Sequence, residues 1–321
     1  MKGPPGRYRG VLEEVVHGRL RTACGWQTRT VGPPLYFSHP VCLRHETGEY
    51  PERPARIEAI EAELERRGWL GYERREAPAA PLDAVTAVHT EAYVQAVRSK
   101  SASRGSLDEE TVLSPGSYRA ALHAAGGACA MVDALMAGEA RAAFCATRPP
   151  GHHARSDTTS GFCLFNNVAV AARRALDALG TRRVFIFDWD IHHGDGTNDI
   201  FRASDTVVFA SIHQARTFPG TGPLHDAGAG AGEGFSINLP VPARSGEDAW
   251  ISLLEHIAVP AALEFRPDLG SSRPATTPTA TTTRDAASSR QAPSPRWPAT
   301  CGRSARRWEL RSASCWRAAT R

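Results

Sequence analysis

The stretch Val184-Phe185-Ile186-Phe187-Asp188-Trp189-Asp190-Ile191-His192-His193-Gly194-Asp195-Gly196 decides the fold class of this 321-residue chain. Its first four residues form a short, continuous apolar run, which is typical of a strand that is buried on both faces of a sheet. The polar cluster that follows therefore begins where the strand ends. In parallel α/β sheets ligands bind at the carboxyl ends of strands, and Asp and neutral His are good ligands for a divalent metal such as zinc.

Strand geometry adds a prediction about orientation. Side chains alternate along an extended chain, so Asp188, Asp190 and His192 would share one side for as long as the chain stays extended. Taken alone, such a pattern is more often a polar loop at the end of a strand than a metal site. The sequence elsewhere in the chain has to decide between the two.

A second polar cluster, Arg148-Pro149-Pro150-Gly151-His152-His153-Ala154, follows the apolar stretch 142–145. Two adjacent histidines after a Pro-Gly turn are a poor choice for a core. Beside a metal-bound water they suit proton transfer, because imidazole titrates near neutral pH. Such imidazoles usually need a carboxylate or carbonyl partner on the other ring nitrogen, and Asp188 and Asp195 are available for that purpose.

Several segments, in order and with matching spacing, resemble motifs of the histone deacetylase / acetylpolyamine amidohydrolase family. They are Arg148–Ala154, Gly161–Asn167, Asp188–Thr197, Ser211–His213, Phe218–Gly222 and, upstream, His45–Gly48 with Pro51–Ile57. The Trp in Asp-Trp-Asp and the Ser-Ile-His-Gln run favour the class II-like, bacterial type. The resemblance covers about residues 34–269 and is highly specific.

The resemblance implies a single three-layer α/β domain with a mainly parallel sheet, similar to the arginase/deacetylase fold. It implies zinc-dependent hydrolysis of an acetyl amide on a lysine or polyamine substrate. It implies that Asp190 and His192 bind the metal. It implies that His152 and His153 transfer protons, with Asp188 and Asp195 as their partners. The walls of the substrate tunnel would be Gly161, Phe162 and Phe218. It also implies a structural K⁺ site at Asp188, Asp190, the carbonyl of His192 and Ser211. The plainer interpretations are a structural histidine pair and ordinary core aromatics.

Composition places the chain in a broad class. The net charge of +4 gives no reason to expect a nucleic-acid partner, and seven cysteines without a C-x-x-C pair suit a reducing cytoplasm. The start of the chain lacks an apolar signal core, and no run reaches the length of a membrane span. Residues 1–33 match no motif, and we interpret them as an N-terminal extension. Oligomeric state is left open.

Local patterns predict alternating strands and helices, which favours a mainly parallel sheet. Pro54 opens a helix that ends before Gly68, and Gly180 ends another that begins at Asn166. Further helices are expected over 115–138 and 247–264, strands over 206–212 and 235–240, and a long loop over 213–234. The last helix should lead into another strand at Asp268.

That strand has no apolar sequence to form it. Residues 270–321 contain no Val, Ile, Met, Phe or Tyr and only one leucine, Leu310. In its own reading frame this segment is a disordered basic tail, which is also the feature that would suit a nucleic-acid-binding protein. We therefore expect the catalytic domain to end at residue 269 and the sheet to be truncated at its C-terminal side. Part of the sheet would then be exposed as an unpaired edge after Asp268.

A shift of the reading frame by one nucleotide explains the tail better. Read one nucleotide earlier, residues 271–282 can become Val-Val-Ser-Ala-Gly-Tyr-Asp-Ala-His-Arg-Asp-Asp, which resembles the family's next motif with its third metal-binding Asp. Residues 315–320 become Val-Leu-Glu-Gly-Gly-Tyr, which resembles the motif of the catalytic tyrosine. We infer a frameshift near Leu269 or Gly270, so that 270–321 is out of frame and activity is impaired. A binding pseudoenzyme is the alternative.

Overall fold

The computed structural model describes residues 20–22, 25–27, 32–274 and 315–318. The strands are β1 (Leu20–Thr22), β2 (Gly25–Gln27), β3 (Leu35–Ser38), β4 (Glu73–Glu76), β5 (Ala143–Cys145), β6 (Val184–Trp189), β7 (Val207–Gln214), β8 (Ser236–Val241), β9 (Leu269–Pro274) and β10 (Cys315–Ala318). The α-helices are α1 (Ala55–Arg66), α2 (Leu82–Thr86), α3 (Glu91–Ala102), α4 (Ser117–Met136), α5 (Asn167–Ala178), α6 (Asp195–Phe201), α7 (Glu247–Leu253) and α8 (Val259–Phe265). Short 3-10 helices cover Pro40–Arg44, Gly68–Gly71 and Gly230–Gly232, and a π-helical turn covers Leu254–Ala258.

The main sheet has eight strands in the order β4-β3-β5-β10-β9-β6-β7-β8, and β1 pairs with β2 in a separate antiparallel ribbon. Neighbours among β3 to β9 run parallel wherever they pair directly. Strand β10 lies between β5 and β9 and is antiparallel to both. The expected α/β fold with a mainly parallel sheet is confirmed.

Helices cover both faces of this sheet, which gives three layers. Val184 and Ile186 of β6 face one core, which they share with buried residues of α4 and α5. The alternate residues Phe185 and Phe187 face a second core, packed against side chains from α7 to α8. This two-sided burial is what the continuous apolar run of β6 predicts for a central parallel strand.

The predicted helix starts follow from local chemistry. Helix α1 begins directly after Pro54, and α5 begins after Asn166, whose side chain accepts a hydrogen bond from Ala169 N at 3.1 Å. The helix expected over 247–264 is interrupted, because the π-helical turn separates α7 from α8. Among the described residues, no helix combines the length and the apolar character needed to cross a membrane.

The expectation that no strand follows Asp268 is wrong. Strand β9 pairs in parallel with β6 from Leu269 to Pro274, and Ser271 and Ser272 are buried there. Strand formation depends on backbone hydrogen bonds, so small polar side chains can occupy a buried strand that a parallel neighbour pairs. The expected unpaired edge is wrong for the same reason.

The tail 270–321 was expected to lack regular structure, and this is wrong for two segments. Residues 270–274 belong to β9, and Cys315–Ala318 form β10. Residues 275–314 and 319–321 lie outside the described residues, so the rest of that expectation is not addressed. The same holds for most of the N-terminal extension.

Gly126 in α4 provides a test of how this core is packed. A Cβ at this position would lie 2.1 Å from Pro78 O and 2.4 Å from Ala80 N. Replacing a helical glycine by alanine ordinarily stabilises a helix by about 0.5–1 kcal/mol. Here the backbone contact should reverse the sign, and we expect Gly126→Ala to destabilise the fold by about 1–3 kcal/mol in urea denaturation.

Gly246 is the matched control, because a Cβ there would meet nothing within 4 Å. Gly246 is the N-cap of α7, where alanine is less favourable than glycine, so Gly246→Ala should cost less than about 1 kcal/mol of unfolding free energy. Equal stability of the two variants would contradict the packing of α4 against residues 78–80.

Candidate active site

The carboxyl end of β6 carries the acidic and imidazole side chains expected from the sequence. Asp188 is the penultimate residue of β6, Asp190 and His192 follow in the connecting turn, and Asp195 begins α6. The carboxylates are almost fully buried, at 1% exposure for Asp188 and 3% for Asp190. Buried carboxylates require hydrogen-bond donors, so the arrangement of this turn is set by what surrounds them.

Two histidine–carboxylate pairs lie side by side. His152 Nδ1 is 2.8 Å from Asp188 Oδ2, and His153 Nδ1 is 2.8 Å from Asp195 Oδ1. The two imidazole centroids are 3.8 Å apart. These are the pairings that the resemblance implied. Each carboxylate binds the Nδ1 side of its imidazole and so orients the ring.

The two pairs differ in a contact that the sequence analysis missed. Arg155 Nη2 donates to Asp195 Oδ2 at 3.2 Å, so the carboxylate that orients His153 also binds a guanidinium. Arg155 is partly exposed, whereas Asp195 is nearly buried. No periodicity or motif in the sequence pointed to Arg155, because its role depends on the turn bringing it back toward α6.

Asp190 and His192 lie against each other in the turn after β6, where His192 N donates to Asp190 Oδ1 at 2.9 Å. Asp190 Oδ1 and His192 Nδ1 are 3.1 Å apart. Two tetrahedral zinc ligands, each about 2.0–2.1 Å from the metal, lie about 3.3 Å from one another, so this pair fits two positions of a zinc site. Among the described residues no group of three or more His, Cys, Asp or Glu side chains could hold a metal. The donor set in this part of the chain therefore fits zinc incompletely.

Aromatic and glycine residues line the space in front of His153. The Phe218 ring meets the His153 ring edge to face at 5.1 Å and lies 6.0 Å from the ring of His192. Gly161 has a left-handed φ of +52°, and a Cβ there would lie only 2.4 Å from His153 Cδ2. Glycine is thus required for the chain to pass this close to the imidazole. Phe162 follows directly and is half-buried.

Two further histidines, His193 and His213, pack against each other close to the turn after β6. His193 and His213 have ring centroids 4.7 Å apart, and His193 Nδ1 lies 2.8 Å from Thr221 Oγ1. Burial, and then the neighbouring His213, lower the pKa of His193 to about 4. Burial also lowers the pKa of His213. Both rings are therefore neutral near pH 7 and act as packing and hydrogen-bonding groups.

A buried ion pair anchors the turn that precedes His152. Arg148 Nε donates to Glu52 Oε1 at 2.6 Å, a second guanidinium nitrogen donates to Glu52 Oε2, and Nη1 donates to Cys42 O at 3.0 Å. Both side chains are 3% exposed. Nearby, burial and then the Arg148 charge lower the pKa of His45 to about 3. The sequence placed Glu52 and Arg148 in motifs but gave no sign that they pair.

Comparison with known proteins agrees with these observations. Residues 50–270 match the family model described as histone deacetylase domain. The chain is 39% identical over 233 residues to a probable deacetylase of Archaeoglobus fulgidus, covering 71% of this chain and 65% of that protein. It is 37% identical over 254 residues to histone deacetylase 14, chloroplastic, of Arabidopsis thaliana, covering 73% of this chain and 60% of that protein.

A third relative, the histone deacetylase-like amidohydrolase of Pseudomonas aeruginosa, is 38% identical over 248 residues, covering 76% of this chain and 61% of that protein. The chain thus spans less than two thirds of the length of each of these relatives. The crystal structure of the HDA15 HD domain has a TM-score of 0.70 and 34% identity, covering 74% of this chain and 73% of that one. It confirms the fold.

The Glu52–Arg148 pair generates a stability prediction. Glu52→Ala leaves a buried guanidinium without its carboxylate, and we expect a loss of about 3–5 kcal/mol in the free energy of unfolding. Asp177→Ala removes the exposed Arg173–Asp177 pair and is the matched control, with an expected change below about 0.5 kcal/mol. Chemical denaturation of the three proteins measures both values. A Glu52→Ala loss as small as the control would contradict an anchoring role.

Proposed function

This chain belongs to the histone deacetylase family, and we propose that its function is the zinc-dependent hydrolysis of an acetyl amide on lysine or a polyamine. The observation that carries the proposal is the pair of orienting contacts on adjacent imidazoles, His152 to Asp188 and His153 to Asp195, beside the two donor atoms of Asp190 and His192. A structural histidine pair would not need two separate buried carboxylates, one bound to each imidazole.

The proposed roles follow from which atoms are already engaged. His153 Nδ1 is held by Asp195, so Nε2 is the atom that takes a proton from the attacking water and returns it to the leaving amine. His152, held by Asp188, would act with it. Phe162 and Phe218 would form tunnel walls that enclose the aliphatic chain and exclude water, with Gly161 allowing the wall to approach His153.

Asp190 and His192 would hold the zinc, which when bound polarises the amide carbonyl and lowers the pKa of a bound water. Asp188, Asp190, the carbonyl of His192 and Ser211 are the proposed structural K⁺ ligands. A reducing compartment, the cytoplasm, is part of the proposal, because four described cysteines are buried free thiols.

Activity of the chain as it stands is proposed to be impaired. Three protein ligands are usual in catalytic zinc sites, whereas the described part of the chain holds no group of three His, Cys, Asp or Glu side chains that could bind a metal. The tyrosine that the family motif would supply to stabilise the oxyanion is also absent from the sequence after Gly270, which contains no Tyr. An oxyanion donor is worth about 3–4 kcal/mol. A pseudoenzyme that binds acyl-lysine or a polyamine without hydrolysing it is therefore the second candidate.

The frameshift proposal accounts both for the missing third zinc ligand and for the missing tyrosine. The family match ends at residue 270, next to the proposed shift at Leu269 or Gly270. Strand β10 is the antiparallel exception between parallel strands β5 and β9. Antiparallel members of otherwise parallel sheets are usually edge strands, so a central one is unexpected. The neighbouring frame would place Val-Leu-Glu-Gly at this position, and its first two residues are typical of a buried parallel strand.

The first test measures metal binding by the chain itself. We expect weak zinc uptake in equilibrium dialysis, because two ligands are present, and loss of that uptake in Asp190→Ala. Asp248→Ala, an exposed carboxylate at the start of α7, should bind zinc like the unsubstituted chain. Identical zinc uptake in Asp190→Ala and Asp248→Ala would contradict the assignment of the ligand.

The second test restores the reading frame. The restored protein should bind about one zinc per chain and deacetylate an acetyl-lysine reporter, and Asp190→Ala should abolish both. Full activity of a metal-free preparation would contradict zinc dependence. The frameshift itself fails if the DNA cannot encode Ala-Gly-Tyr-Asp in the neighbouring frame at codons 274–277.

A further inference from the structure

One buried histidine, His45, has no part in the proposed mechanism. It follows the 3-10 helix Pro40–Arg44, and its Nδ1 is 2.7 Å from the hydroxyl oxygen of Ser117, at the start of α4. On the other side of the ring, Nε2 is 3.7 Å from Glu52 Oε2. Serine, histidine and glutamate are the residue types of a hydrolase triad, but Ser117 is 0% exposed, so no substrate reaches its hydroxyl. The three side chains must serve another purpose.

The hydrogen bonds around Ser117 decide which ring nitrogen of His45 carries the proton. Ser117 Oγ accepts from Ser114 N at 2.8 Å, and the hydroxyl of Ser114 donates to Arg44 O at 2.9 Å. The hydroxyl proton of Ser117 is therefore directed to His45 Nδ1, at 2.7 Å, rather than to Ser114 Oγ, at 3.1 Å. This assigns the proton of the neutral imidazole to Nε2, the nitrogen that faces Glu52. The opposite tautomer would direct a lone pair at a carboxylate.

The imidazole of His45 is a neutral donor. Burial, and then the charge of Arg148, lower the pKa of His45 to about 3, so the ring is uncharged near pH 7. The 3.7 Å between His45 Nε2 and Glu52 Oε2 exceeds an ordinary hydrogen bond, so the N–H contributes a dipole directed at a carboxylate that Arg148 already holds through two nitrogens. A buried carboxylate is stabilised by each donor that faces it. The imidazole thus favours one orientation of Glu52.

From these contacts we infer that His45 is a positioning residue, which holds Glu52 in the orientation that receives Arg148 and so places the turn 148–154. Arg148 is the first residue of that turn, which carries the imidazole pair of the candidate site. Ser117 fixes the ring of His45 from the first turn of α4. One hydrogen bond, one imidazole and one ion pair therefore connect α4 to this turn. The inference rests on the proposed function only for the roles of the imidazole pair, because His45 acts through Glu52 and Arg148.

Two substitutions separate the two contacts of His45. The amide nitrogen of a glutamine lies where Nε2 of the imidazole lies and can donate to Glu52, whereas an asparagine reaches only as far as Nδ1 and can accept only from Ser117. Hydrogen exchange of the full chain is read by mass spectrometry on peptides that cover the turn, in which Ala154 N donates to Gly151 O at 3.0 Å. We expect exchange in the turn to quicken about tenfold in His45→Asn and to stay within about threefold in His45→Gln.

The middle of α4, residues 124–132, is the internal reference. A merely structural role would lower the stability of the whole domain and quicken exchange in α4 and in the turn together, whereas a positioning role affects the turn alone. His256→Asn, at an exposed histidine of the π-helical turn, is the matched control and should leave both segments unchanged. Equal exchange in His45→Gln and His45→Asn, no change in His45→Asn, or parallel acceleration in α4 would overturn the inference.

Ser117→Ala keeps the test decisive if His45→Asn does not fold. It removes the hydroxyl that orients the imidazole and leaves the ion pair of Glu52 with Arg148 in place. Exchange in the turn should again quicken while the middle of α4 stays unchanged, and an unaltered turn in this variant would refute the positioning role. Because exchange is measured without metal or substrate, a negative result leaves the proposed function intact, which the zinc and reporter measurements test separately.

Discussion

The buried carboxylate of Asp188 imposes the constraint around which the candidate site is arranged. It is 1% exposed at the end of β6, and a carboxylate without hydrogen-bond donors at such a position would be strongly destabilising. Asp190 N donates to Oδ1 at 3.1 Å, so the chain must turn as soon as the strand ends. His152 approaches Oδ2, and a Cβ at Gly194 would lie 2.3 Å from the same oxygen. The turn after β6, the imidazole of His152 and the glycine at position 194 therefore all accommodate the buried carboxylate of Asp188.

The remaining parts of the site follow from where His152 is placed. His153 is its neighbour in sequence, and the start of α6 brings Asp195 to His153 Nδ1. The Glu52–Arg148 ion pair joins the start of this turn to the loop that carries Tyr50. Gly161 and Phe218 lie against the imidazole of His153, and Tyr50 packs on the neighbouring Phe162. A buried ion pair contributes little net stability against an apolar replacement, but it fixes the relative position of the two segments it joins.

The centre of the sheet is where this chain departs from a regular parallel architecture. Strand β9 continues the parallel pairing from β6, although its residues are mostly small and polar. Strand β10 fills the position between β9 and β5 in the opposite direction, pairing four residues with β9 and two with β5. Parallel central strands are ordinarily rich in Val, Ile and Leu. The polar composition after Gly270 and the antiparallel direction of β10 both differ from a regular parallel sheet, and they do so at the same place in the fold. Both differences support the frameshift proposal.

The sequence by itself determined the α/β class, the position of the polar cluster at the end of β6, and the helix starts at Pro54 and Asn166, because periodicity and capping are local properties. Only the tertiary structure decided that Arg155 reaches Asp195, that Glu52 pairs with Arg148, and that Tyr50 packs on Phe162. Partners separated by 40 to 112 positions leave no periodic trace in one sequence. Strand β9 was missed for a related reason. Its side chains show no strand pattern, and it forms because the backbone of β6, which is distant in sequence, lies beside it in the folded chain.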